Sequence, residues 1–192
     1  MIGKVKTGRS FGGCIGYVIS KHQAQILEAV GVRTTNRQDI TDDFNAQRKL
    51  NPALGQAVGH IALSWSVHDR SKLTPELMIE RAKEYLDKMQ IWETQYLIVQ
   101  HQDKEHPHIH IIYNRVDNEG STISDRFQKQ RNAKVCKELT LKHGYHMGRG
   151  KVQVNRQRLT GDDKIRYELY DALTKAAKQA TCWTQLEWLL GK

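Results

Sequence analysis

The sequence predicts an α/β fold in which helices pack on a mainly antiparallel or mixed sheet. Three observations carry this. Residues 58–67 (VGHIALSWSV) alternate apolar and polar side chains, the period of a half-buried strand. Residues 96–99 and 109–116 are rich in β-branched and aromatic side chains and flank a turn-like stretch at 103–107, the pattern of a β-hairpin. Between such segments lie runs of helical spacing opened by capping residues. Strands joined by a hairpin and by long helical crossovers build an α/β sandwich.

Taken in order, residues 1–7 form a short first strand. Ser10 is placed as an N-cap before FGGCIGYVISKH, which reads as a helix despite three glycines. Phe11, Cys14 or Ile15, Val18 and Ile19 fall at helical spacing, with Tyr17 at the edge of their stripe. Gly31 and residues 34–36 mark a loop, and 40–50 read as a polar helix with Thr41 as its cap, ending before Pro52. Arg48 and Lys49 there either touch a polyanion or are only solvated. After the strand at 58–67, Thr74-Pro75-Glu76 opens a helix: Thr as N-cap, Pro at the first position, Glu favourable to the dipole. Met78, Ala82, Tyr85 and Met89 are its core stripe. Beyond the hairpin VDNEG makes a turn, and Ser124 and Asp125 cap a helix to about Lys142, packed through Phe127, Val135 and Leu139. HMGRGKVQVNRQR reads as a basic loop. Ile165, Leu169, Leu173, Ala176 and Ala180 then describe an amphipathic helix, followed by a short one over 183–190.

At 192 residues and 39% hydrophobic, the chain can bury one substantial core, so one domain or a domain with an appendage is expected. No window approaches the ~20 apolar residues of a membrane span. MIGKVKTGRS holds no apolar signal core, and three irregularly spaced cysteines give no disulfide framework, so a cytoplasmic protein is expected. The net charge of +9 calls for a polyanionic partner. It is unevenly spread: residues 121–160 hold ten Lys/Arg against two acids, the remaining 152 residues twenty against nineteen. Arg126, Lys129, Arg131 and Lys134 on the predicted helix, with Arg149 and Lys151 in the following loop, are the candidate contacts to nucleic-acid phosphates. No amphipathic basic helix with bulky apolar anchors lies there, which disfavours a membrane surface.

The hairpin carries the chemistry. Residues 100–116 hold four of the nine histidines, His101, His106, His108 and His110. Alternation sends His108 and His110 to one side of their strand, and His101, just before the turn, can lie opposite that pair. Three neutral imidazoles converging on one sheet face make a site for a divalent ion. A closed structural zinc site is disfavoured, since Cys14, Cys136 and Cys182 are scattered and none neighbours the histidines. The expected ion is of the Mn²⁺ or Mg²⁺ type, with positions open to substrate. A two-His-one-carboxylate iron site from His101, Asp103 and a distant His143 or His146 is a rival that leaves His108, His110 and the basic block without a role.

The pattern His101-x-Asp103-x-x-His106-Pro107-His108-x-His110, with Asn114 four residues on, resembles the third motif of the plasmid-mobilisation relaxases. These are tyrosine DNA-nicking members of the HUH endonuclease superfamily, named for a pair of histidines around a hydrophobic residue. SFGGCIGY resembles the Ser-Phe-x-Gly…Tyr pattern of their first helix, residues 60–64 their second strand, and 124–145 the segment after the metal hairpin. The likeness covers residues 1–145 as a nuclease domain; 146–192 fall outside it as a basic loop plus helical extension.

The resemblance implies an HUH endonuclease-like relaxase fold. It implies His101, His108 and His110 as metal ligands, and Asp103 as an acidic residue able to orient a ligating histidine through its second nitrogen. It also implies Tyr17 as nucleophile, none of the other six tyrosines sitting in a comparable motif. The implied activity is nicking of single-stranded or melted DNA at a transfer origin through a 5′-phosphotyrosine link, in a bacterial cytoplasm and with accessory mobilisation proteins. Family members use a carboxylate near the tyrosine; Glu76, Glu80 and Glu84 are the acids at hand, His60 reads as a sheet histidine, and His22 is a rival nucleophile. An HUH replication initiator or transposase is the near alternative, although these usually place the tyrosine after the histidine pair. A non-enzymatic, metal-stabilised nucleic-acid-binding module is the distant one.

Overall fold

The computed structural model describes residues 1–148 and 154–191. The chain divides into two compact units, Met1–Gly148 and Arg149–Lys192. In the first, five strands form one antiparallel sheet: β1 (Ile2–Gly8), β2 (Gln25–Val30), β3 (Val58–Ser64), β4 (Tyr96–His101) and β5 (His108–Asn114), ordered β1-β3-β5-β4-β2. Helices α1 (Phe11–Ile19) and α2 (Arg37–Arg48) contribute to the core on one face. Helices α3 (Pro75–Lys88) and α4 (Gln128–Lys142) contribute to the core on the other. The fold is α/β, as the sequence predicts, and every pairing is antiparallel.

Local chemistry accounts for these boundaries. Ser10 and Thr74 each accept a hydrogen bond from the backbone N–H three residues on, and Pro75 opens α3. β5 is central and covered on both faces, so all its residues are buried. Ile109, Ile111 and Tyr113 pack with Tyr85 and Leu139, while Ile112 packs with Phe11, Ile15 and Phe44. The Phe11 and Phe44 rings stack with centroids 4.8 Å apart, locking α1 to α2.

Several expectations need correction. QILEAV, inside a region read without a strand, is the edge strand β2; it is short, partly exposed and interrupted by a bulge at Ile26–Glu28, so it lacks alternation. Helix α2 begins at Arg37 with Asn36 as its cap, accepting from the Asp39 N–H. Thr41 is interior, its hydroxyl donating to the Arg37 carbonyl. β3 ends at Ser64, and Val67–Lys72 is a 3₁₀ turn. Ser124 and Asp125 do not cap α4. The residue before it is Phe127, left-handed at φ 53° and 61% exposed, so it supplies no packing. Asp125 instead pairs with Arg115 at 2.9 Å.

The second unit contains α5 (Gly161–Gln179) and α6 (Trp183–Leu189). Ile165, Leu169 and Leu173 form the expected stripe along α5, but all three are exposed. No helix among the described residues is long and apolar enough to cross a membrane.

Candidate active site

The sheet register assembles the site. His101 pairs with His108 across β4 and β5, and His108 and His110 share a face two residues apart. Ser64 and Ala62 of β3 stand opposite those two histidines on the other side of β5. One ligand nitrogen from each of His101, His108 and His110 lies within 4.8 Å of the others, and all three residues are buried.

His110 and His101 are each anchored by one ring nitrogen. His110 Nδ1 meets His60 Nε2 at 2.9 Å. His101 Nε2 donates to the Val18 carbonyl of α1 at 2.7 Å. These contacts leave His110 Nε2 and His101 Nδ1 for an ion. In His108, Nδ1 faces the His106 carbonyl at 3.2 Å and Nε2 faces Asp103 Oδ1 at 3.1 Å. If Nδ1 carries the proton, a lone pair points at a carboxylate, a contact that only a proton or a cation satisfies. Burial, and then the neighbouring imidazoles of His101 and His60, push His110 down to about 3. Burial, then the Lys6 charge, bring His60 down to about 4. His108 is also lowered, first by burial. Neutral imidazoles with outward lone pairs fit a divalent ion. Burial raises the Asp103 carboxyl, but His108 and Lys21 outweigh it and hold it below the usual range.

Tyr17 overhangs this cluster. Phe11, Ile15 and Val18 bury one side of α1, which leaves Tyr17 57% exposed. Its ring stands edge-on to His60 and to His110, with centroids 6.2 Å away in each case. Lys21, one turn on, places Nζ 5.8 Å from the Tyr17 ring centroid and 3.5 Å from Asp103. Gly16 lets α1 approach α2: a Cβ there would lie 2.4 Å from the Arg37 guanidinium, which bonds the Gly12 carbonyl. Tyr17, Lys21, His101, Asp103, His108 and His110 line one cleft of about 360 Å³.

The structure thus brings Tyr17, Asp103, His101, His108 and His110 together, and it separates other candidates from them. Glu84 bonds Arg81 and His143, on the elements that cover the opposite sheet face. His143 is therefore engaged away from Asp103, and no two-His-one-carboxylate set forms with it. The predicted phosphate contacts also part company. Arg131 donates to the Ser124 carbonyl at 2.7 Å, Arg126 lies 5.0 Å from the Phe127 ring centroid, and Lys134 is exposed. Lys129 lines a groove with Lys4 and Lys6. Arg149 and Lys151 lie outside the described residues. Asn114 is buried and donates to the Phe44 carbonyl of α2, which makes it a structural anchor. Sequence reasoning passed over His60 as a partner of His110, and also Lys21; the only signal was the alternation placing His60 on one face of β3.

The family described as "Relaxase: MobA/VirD2-like, nuclease domain" matches residues 17–145, a span running from Tyr17 through the hairpin and α4. No curated protein matches the chain. The match covers well over half of the sequence, and the chain belongs to the MobA/VirD2-like relaxase nuclease-domain family.

Proposed function

We propose that the protein is a site- and strand-specific DNA transesterase that nicks a transfer origin through a covalent link to Tyr17. The observation that carries this is the exposed Tyr17 ring standing edge-on to His110 at the mouth of the three-histidine cleft. His101, His108 and His110 are the proposed ligands of one Mn²⁺ or Mg²⁺ ion, and an all-imidazole donor set favours Mn²⁺ of the two. When bound, the ion supplies positive charge to the phosphate oxygens where charge builds up in the transition state.

The remaining chemistry belongs to the chain. The Tyr17 oxygen attacks phosphorus while the bond from phosphorus to O3′ breaks. The phenolic proton leaves, the departing O3′ takes up a proton, and a 5′-phosphotyrosine and a 3′-hydroxyl result. One phosphodiester replaces another, so the reverse attack rejoins strands without an energy-rich cofactor. His60 is a positioning residue that holds His110 by Nδ1, and Asp103, beside His108 Nε2, adds negative charge next to the proposed ion. Lys21 offsets the Asp103 charge, so that the carboxylate does not repel an incoming phosphate. Residues 1–145 are the proposed nuclease domain and 146–192 its extension, with DNA and accessory mobilisation proteins as partners in a bacterial cytoplasm.

The test is covalent capture. Incubation with Mn²⁺ and supercoiled plasmids bearing candidate transfer origins should give nicked DNA and a denaturation-resistant adduct, with the nucleotide on the peptide spanning residues 10–21. Tyr17→Phe should lose both while retaining fold and metal uptake. An adduct on His22 or Tyr113 would overturn the assignment of the nucleophile.

A further inference from the structure

Composition places the excess charge in residues 121–160, yet the structure sets a different group of cations beside the site. β1 is an edge strand paired with β3, and the register Lys4↔Ala62 and Lys6↔His60 puts both lysines on the face that carries His110. Between Lys4 and His110 stands Ala62, whose small side chain leaves the floor open, and Lys6 lies opposite His60.

Two grooves share Lys4 and Lys6. One, of about 470 Å³, runs to Tyr17, His60 and His110. The other, of about 540 Å³, lies between β1 and the start of α4 and reaches Lys129. Asn132 donates to the Gly3 carbonyl at 2.8 Å, and a Cβ on Gly3 would lie 2.1 Å from its Oδ1, so α4 is drawn against β1 there. Lys4, Lys6 and Lys129 are exposed, and among the described residues none has an ion-pair or hydrogen-bond partner for its side chain. Among the described residues no acid lines either groove. By contrast, Arg131 is tied to Ser124, and Lys134 and Lys137 line neither groove.

We infer that strand β1 is a DNA-gripping track: Lys4 and Lys6, continued by Lys129, hold successive phosphates of the single strand leading from the Tyr17 cleft. The inference rests on the nuclease reading for the identity of the anion. Residues two apart on a strand are about 6.7 Å apart, close to the spacing of successive phosphates along an extended single strand. Apart from Tyr17, His60 and His110 at the cleft end, the two grooves offer no aromatic ring for a base among the described residues, so this stretch is held by its backbone.

The experiment measures binding of the full chain, as Tyr17→Phe with Mn²⁺, to a fluorescent oligothymidylate across a salt series. Single-strand affinity falls with salt at a slope of roughly 0.7 per phosphate neutralised, so Lys4→Gln/Lys6→Gln should reduce the slope by about 1.4. Lys4→Arg/Lys6→Arg should restore it, and Lys134→Gln/Lys137→Gln should leave it unchanged. Mn²⁺ uptake by calorimetry should be equal in all variants, which separates lost grip from lost fold. An unchanged slope in Lys4→Gln/Lys6→Gln, or a slope reduced instead by Lys134→Gln/Lys137→Gln, would overturn the inference and leave the nuclease reading intact. A Tyr17→Phe parent that binds no oligothymidylate, together with wild-type protein that forms no adduct on any candidate transfer origin, would overturn both.

Discussion

At the scale of single residues, the histidine that contacts no proposed ion is as informative as those that do. His60 reaches His110 through a 2.9 Å contact and so sets which nitrogen of His110 faces the cleft. His60→Ala should weaken Mn²⁺ binding by roughly 10–100-fold by calorimetry without unfolding the protein, the usual cost of losing such a partner. His108→Ala/His110→Ala should abolish uptake. Unchanged affinity in the single variant would mean that His110 is oriented by its packing alone. Gly59 offers a purely steric counterpart. Its Cβ position lies 2.1 Å from the buried Tyr113 ring, so Gly59→Ala forces the ring or β3 to move and should destabilise by ~1–3 kcal/mol in a denaturant titration.

At the scale of elements, α3 and α4 are joined by one carboxylate. Glu84 receives Arg81, Lys142 and His143, and although burial raises its pKa, these three partners outweigh it and bring it down to about 2. The folded pKa lies below that of a free glutamate, so the stabilisation is present above about pH 4.5 and is lost as pH falls toward 2. Glu84→Gln should therefore cost about 1–2 kcal/mol at neutral pH, after allowing for solvent at the helix edge, and progressively less on acidification. Parallel unfolding curves of the two proteins at all pH values would show that the cluster contributes nothing. None of this chemistry reaches the cleft, because α3 and α4 cover the other sheet face.

At the scale of the whole molecule, the sheet separates support from chemistry. One face is closed by α3 and α4. The other is closed by α1 and α2 over Val58, Leu97, Val99 and Ile112, and beyond that core the cleft begins. A ligand that binds only the folded state stabilises it by mass action, so Mn²⁺ at about a hundred times its Kd should add ~2.7 kcal/mol to the unfolding free energy of the nuclease unit. That gain should vanish in His108→Ala/His110→Ala. A gain that persists would place the ion elsewhere.

Much of this was legible in the sequence, because its signals are local. The Ser10 and Thr74 caps act within three residues, the 58–64 alternation reports burial of one strand face, and the hairpin brings His101 and His108 together through a short turn. The family likeness could be read from the same short motifs. What the tertiary structure decided depends on long-range register and packing. β2 is a strand only because β4 offers it an edge, and His60 meets His110 only because β3 lies beside β5 in that register. The basic residues of α4 looked like the binding surface because composition counts charges without regard to direction. Packing turned Val135 and Leu139 inward and left Lys134 pointing to solvent, while β1, outside the most basic block of the chain, brought Lys4 and Lys6 to the lip of the cleft. A strand's side-chain period is local, but which face looks onto a site is set by its neighbours across the sheet.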